Sequence, residues 1–236
     1  MSEKKSFMSY ERPSVTADVV LFRIKNEFVD KRQKNSKKLQ VLLLKREEEP
    51  CKNQWSLPGG FVGISETIEE VAKRKVLEKT GYDNFYMEQL YTFDAIDRDE
   101  RWRVISTSYI GIVKSNFEKI QSGLYETKWF DFVDGKLFDE ISGEELKMTE
   151  LAFDHANIIN TAISRIRGKL FYSNIGFEFE SEEFTVGSLQ GTFETILQRK
   201  IDNFKRTMQS RIEETGGVED GMAYRPAKLY KIKKEF

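Results

Sequence analysis

Apolar and polar positions divide the chain into two blocks. Residues 1–14 are polar and read as a loose arm. "TADVVLFRI" (Thr16–Ile24) is a buried strand by its nearly unbroken apolar run. A charged loop, Asn26–Lys38, separates it from a second such run, "LQVLLLKR" (Leu39–Arg46), so a hairpin is predicted. The stretch "EEEPCKNQWSLPGG" is rich in turn residues and ends in Pro58-Gly59-Gly60. The rhythm then becomes helical. Over residues 66–79, Ile68, Val71, Ala72 and Val76 form one stripe, Ser65 is placed to cap the start, and Gly81 is placed to end it. Further strands are predicted at Asn84–Ala95, Arg103–Val113 and Glu126–Phe132. A long helical pattern follows from Met148 to Arg167, closed by Gly168. Strands enclosed by two helices give an α/β (α+β) domain over residues 1–167.

The second block, residues 168–236, repeats none of this. In "FTVGSLQGTFETILQ", Leu189, Phe193, Ile196 and Leu197 recur at helical spacing, Thr185 can cap, and Phe184 can staple onto Leu189. "IDNFKRTMQSRI" is a second, short helix. Phe204, Met208 and Ile212 should face inward, leaving Asp202, Lys205, Arg206 and Gln209 outside. "GGVEDG" and "AKLYKIKKEF" read as a hairpin loop and its return strand. Helix, helix and hairpin are the outline of a winged helix-turn-helix.

Charge supports that division. The whole chain carries a net −1 and so says nothing about a nucleic-acid partner. Locally, Lys169–Gln198 holds one basic residue against five acids, whereas Arg199–Phe236 holds ten basic against six. The basic excess lies on the second helix and hairpin, where a DNA-reading surface needs it. Composition removes other classes. Cys51 is the lone cysteine, so neither an intrachain disulfide nor a multi-cysteine zinc site can form. His155 is the lone histidine, which excludes a mechanism needing two. Neither a signal peptide nor a run of about 18 apolar residues is present, so the expectation is a cytoplasmic protein with no membrane partner.

The segment from Gly60 to Tyr82, "GFVGISETIEEVAKRKVLEKTGY", resembles the Nudix box. Gly60, Glu66, Arg74, Val76, Glu78, Gly81 and Tyr82 match it at the right spacing; Lys75 and Lys79 stand where that pattern has glutamate. Positions 75, 78 and 79 share one helix face. Three carboxylates there would gather magnesium against a pyrophosphate. Here the trio's formal charge is +1, so the box is read as degenerate, with no catalytic residue, no metal site and no magnesium requirement. Glu69, Glu70 and Glu78 are the carboxylates from which relocated ligands could come. Alternatively, Lys75 or Lys79 offsets phosphate charge in place of a metal.

Over almost its whole length the chain resembles the Nudix-related transcriptional regulators typified by NrtR. The resemblance rests on the box and on "LAFDHANII", "FYSNIGFEF", "FTVGSLQ", "NFKR" and "RPAKLYK". It implies a homodimeric repressor of NAD or niacin metabolism genes. The first domain would sense ADP-ribose or a related NAD metabolite, and the winged helices would hold a palindromic operator. The alternatives are a pentose-responsive regulator of the same architecture and an active ADP-ribose pyrophosphatase. Asn203, Lys205, Arg206 and Gln209 are the candidate recognition-helix contacts, with Arg225 and Lys228 on the wing. Arg46, Gly59, Gly60, Lys75, Arg98 and Arg101 are the candidate effector contacts, since cations suit a diphosphate. His155 is read as a satisfied structural residue or a pocket residue, and Trp55 as a core tryptophan.

Overall fold

A computed structural model of the chain describes residues 10–27, 36–114, 119, 123–219 and 226–233. Its main element is a mixed sheet. Strands β1 (Ser14–Glu27) and β2 (Ser36–Lys45) form the expected antiparallel pair, and β6 (Val104–Ile112) runs parallel to β1 on its other side. Outside these lie β5 (Tyr86–Phe93) beyond β6, and β7 (Thr127–Val133), β8 (Lys136–Asp139) and β9 (Glu145–Leu146) beyond β2. The turn-rich stretch before the box contributes two short strands. These are β3 (Trp55–Ser56), paired with β2, and β4 (Gly59–Phe61), paired with β1.

Alternation along β1 assigns its two faces. Ala17, Val19 and Leu21 point to one side, where Val71, Ala72 and Val76 of α1 (Ile68–Thr80) cover them. Val20, Phe22 and Ile24 point to the other, toward Ile158, Ile159, Ala162, Ile163 and Ile166 of α2 (His155–Lys169). The cap of α1 differs from expectation. Thr67, not Ser65, is the N-cap: its hydroxyl accepts from Glu70 N–H while the Glu70 carboxylate accepts from Thr67 N–H, a reciprocal capping box. Gly81 ends the helix at φ +83°, its N–H donating to Leu77 O at 2.9 Å. The long helix is also shifted. Met148–Glu150 is a separate 3₁₀ turn, and α2 runs through Gly168 to Lys169 because Leu170 beyond it is fully buried.

The C-terminal block forms α3 (Val186–Leu197), α4 (Phe204–Met208), and a three-stranded sheet ordered β10 (Phe184–Thr185), β12 (Lys228–Ile232), β11 (Ile212–Val218). Thr185 caps α3 as expected, accepting from Ser188 N–H at 3.0 Å. Gly216 and Gly217 lie inside β11 rather than in the hairpin loop. Leu189, Phe193, Ile196, Phe204, Met208 and Ile212 are buried, and they join the same apolar cluster as the α2 face of the main sheet. Sensor-side and reader-side elements therefore share one core. No helix among the described residues is long and apolar enough to cross a membrane.

Candidate functional site

A cavity of about 210 Å³ opens between β1, β4, the loop after β2 and the loop before β6. β4 is pressed against β1 here. A Cβ on Gly59 would lie 2.1 Å from Asp18 Oδ1 and 2.4 Å from Ala17 O, so only glycine permits that approach. Gly60 lies beneath the Lys75 stem, whose Cε would be 3.0 Å from an added Cβ.

Asp18, a charged residue inside an apolar strand, is buried on the cavity wall. It accepts from the Ser106 hydroxyl, with Arg98 3.7 Å away. Arg98 is itself buried and forks onto Asp154 at 2.7 and 3.1 Å. Asp154 is the residue preceding α2, so this pair ties the cavity wall to the start of that helix. Arg101 forks onto Asp99 at 2.7 and 2.9 Å. Arg46 donates to Pro50 O at 2.8 Å and stacks over Phe153 at 4.9 Å, with no carboxylate paired to it among the described residues.

His155 lies at the cavity floor. Its Nδ1 accepts from Leu57 N–H at 3.0 Å, and burial lowers its pKa, which keeps the ring a neutral acceptor. It is thus both a wall residue and a satisfied structural one. Trp55 is only half-buried, packing edge-on against Phe130 of the core at 5.1 Å between centroids while Lys128 lies over its ring.

Five of the six expected effector residues, Arg46, Gly59, Gly60, Arg98 and Arg101, line this cavity; Lys75 does not, and Lys79 does. One turn of helix separates the two lysines' fates. Lys75 Nζ is held by Glu78 Oε2 at 2.7 Å, and Arg74 takes Glu78 Oε1 at 2.9 Å. Arg74 also grips Glu66 at 2.7–3.1 Å, fixing the loop before α1 to the helix. Glu69 pairs with Lys73, and Glu70 is used in the cap. Each of the three carboxylates from which ligands could be drawn is already engaged. The trio at 75, 78 and 79 offers one carboxylate, saturated by cations, beside a further ammonium. That donor set does not fit magnesium, which needs several hard oxygens in near-octahedral array. Sequence reading missed Thr16, Asp18 and Asp154; the acid in "TADVVLFRI" was a visible signal, whereas the pairing of residues 98 and 154 was not.

The basic surface is built on α4. Asn203 is its N-cap residue in the left-handed conformation (φ +54°), which asparagine tolerates better than most residues. Asn203, Lys205, Arg206 and Gln209 are all exposed, while Phe204 and Met208 anchor the helix from below. The helix is shorter than expected, since Ile212 already belongs to β11. Lys205 Nζ sits 5.6 Å above the Tyr230 ring, and Lys228 pairs with Glu214 across the hairpin at 2.7 Å. Arg225 lies outside the described residues. Arg211, unremarked in the sequence, is buried and donates to Leu170 O, Phe171 O, Ser173 O and Asn174 Oδ1, pinning the turn after α4 to the end of α2.

Residues 28–150 match the model of the NUDIX domain, and residues 176–232 match that of the NrtR DNA-binding winged helix domain. The chain belongs to the NrtR-type regulators of the Nudix family. This NrtR-type chain is 31% identical over 230 residues to a protein of Acinetobacter baylyi named ADPR responsive transcriptional repressor NtrR, covering 94% of this chain and 83% of that one. Shewanella oneidensis NrtR, solved in complex with a 27mer DNA, superposes with a TM-score of 0.71 at 30% identity over 93% of each chain. Over 155 residues the chain is also 31% identical to an ADP-ribose pyrophosphatase of Methanocaldococcus jannaschii, covering 66% of this chain and 76% of that one.

Proposed function

We propose that the protein is a transcriptional repressor that answers to ADP-ribose and acts in the cytoplasm as a homodimer on palindromic operator DNA. Its targets would be genes of NAD metabolism. The first domain is the sensor and is catalytically silent; α4 and the β11–β12 hairpin are the reader. The observation that carries this reading is the pairing of an NrtR-type winged helix with a Nudix box whose acidic trio has become Lys75, Glu78 and Lys79. Two-fold symmetry of the dimer would match two half-sites. Asn203 and Arg206 have the chemistry to read adenine and guanine edges, and Lys205, Gln209, Arg225 and Lys228 to hold backbone.

The test is a gel shift on the promoter fragment with ADP-ribose titrated in, run beside a magnesium-supplemented pyrophosphatase assay on the same preparation. A retained fragment whose mobility responds to ADP-ribose, with no turnover, is the expected result. Turnover without DNA retention would instead make it a hydrolase, the reading that the pyrophosphatase relative favours. A response to pentose phosphates but not ADP-ribose would reassign the effector.

A further inference from the structure

The cavity wall presents four cations, and they are not equivalent. Arg98 and Arg101 are each neutralised by a carboxylate, Asp154 and Asp99 respectively. Arg46 has its guanidinium directed to the backbone carbonyls of its own loop. The Lys79 ammonium has neither a hydrogen bond nor an ion pair among the described residues; it sits over the Tyr125 ring, 5.3 Å from the centroid. The hydroxyl of Thr16, on the same wall, is buried and lacks a hydrogen-bond partner. A half-buried ammonium and a buried hydroxyl left unsatisfied in one cavity are costly to the free protein, and an anionic oxygen is the ligand group that would satisfy both. Burial pushes the Lys79 ammonium below the usual lysine range; the positive charges of Lys75 and Arg46 push it the same way, while the carboxylates of Asp18 and Glu78 oppose them.

Resting on the ADP-ribose reading above, we infer that Lys79 is the effector's built-in counter-ion. Its ammonium occupies the charge role that a magnesium ion plays in a hydrolytic Nudix site, and Arg46 assists it. Lys75 takes no part, because it is spent on Glu78. Effector binding is therefore independent of divalent metal. No hydrolysis accompanies it, since an ammonium neutralises phosphate charge but cannot generate a metal-bound hydroxide.

Calorimetry of the full-length protein with ADP-ribose, in EDTA and then in magnesium, tests this. Wild type is expected to bind equally in both. Lys79→Met should weaken binding about tenfold to a hundredfold, the loss of one charge-assisted contact in a partly desolvated site. Lys79→Arg should stay within about threefold of wild type, and Lys75→Met likewise. In Lys79→Glu, magnesium should recover part of the affinity that EDTA removes. Thermal melts of each variant establish folding; if Lys79→Met fails to fold, Lys79→Arg and the wild-type EDTA comparison still decide. Unchanged affinity in folded Lys79→Met, or a strict magnesium requirement in wild type, overturns the assignment alone. Absence of any ADP-ribose binding by a wild-type protein that still retains promoter DNA overturns the effector reading and this inference with it.

Discussion

Lys37 is a surface-type residue in a buried place, and replacing it should be felt by the whole molecule. It leaves the start of β2 and runs its stem along Gly191 of α3, where an added Cβ would touch Lys37 Cδ at 3.5 Å. Its ammonium ends among Glu180 Oε1 (2.8 Å), Ser188 Oγ (2.8 Å), Ser188 O (2.9 Å) and Thr192 Oγ1 (2.8 Å). Both charged side chains are about nine-tenths buried. Lys37→Met keeps the stem and removes the charge, stranding Glu180 with two hydroxyl donors, Ser188 and Thr192. Breaking a buried pair on one side costs about 3–5 kcal/mol. The two remaining donors place this case near the lower end, at about 3 kcal/mol. A chain of this size loses about 2–4 °C per kcal/mol, so the melting midpoint should fall by roughly 6–12 °C. Scanning calorimetry is the assay. Because the apolar cluster spans both halves, a single transition should move as a unit. Adding Glu180→Gln should recover most of the loss, giving a large coupling energy in the double-mutant cycle. A Lys37→Met midpoint within about 1 °C of wild type would refute the reasoning, since no buried charge would then have been stranded.

Other expectations follow from single features. Arg206→Ala removes an exposed cation from α4 without touching its core side, so operator retention in a gel shift should fall at least tenfold with the melting point unchanged; intact retention would remove Arg206 from the reader. Phe193→Ala opens a void among Phe171, Phe177 and Phe204, whose ring centroids lie 5.1–6.3 Å away, and should cost about 3–5 kcal/mol in denaturant unfolding. Lys128 at 2.8 Å, with the Ser142 and Ile141 N–H groups, lowers the Asp139 pKa to about 2 from 3.8. A depressed carboxylate stabilises the fold above its unfolded value, and that contribution fades as pH falls from about 4 through 2. In Asp139→Asn, an acid titration of unfolding should be flatter over that window than in wild type.

The parts legible in the sequence were those that local chemistry decides. α3 announced itself through Thr185 and its apolar stripe, and Gly81 marked the end of α1. The cap of α1 was misassigned to Ser65 although Thr67-x-x-Glu70 carried the capping-box spacing. Gly168 looked like a stop, but a buried Leu170 carried the helix over it. In the cavity, residue type predicted which groups line the wall better than which remain free. Arg98 finds Asp154 56 positions away, and Lys37 finds Glu180 143 positions away, and no periodicity encodes either meeting. Lys75 is among the expected effector contacts and Lys79 is not, yet Lys75 is committed to Glu78 and it is Lys79 that lines the cavity.

The continuity of the core from β1 to Ile212 bears on what kind of movement could carry a message across the molecule. α3 rests on β2, Arg211 grips the far end of α2, and Arg98 grips the residue before it. Flexing about a slender neck would have to tear this packing open. Small sliding displacements of α2 against its neighbours would not, and such shear is the motion that interdigitated helices allow. A receptor so assembled would speak to its DNA-facing end in ångströms rather than in swings.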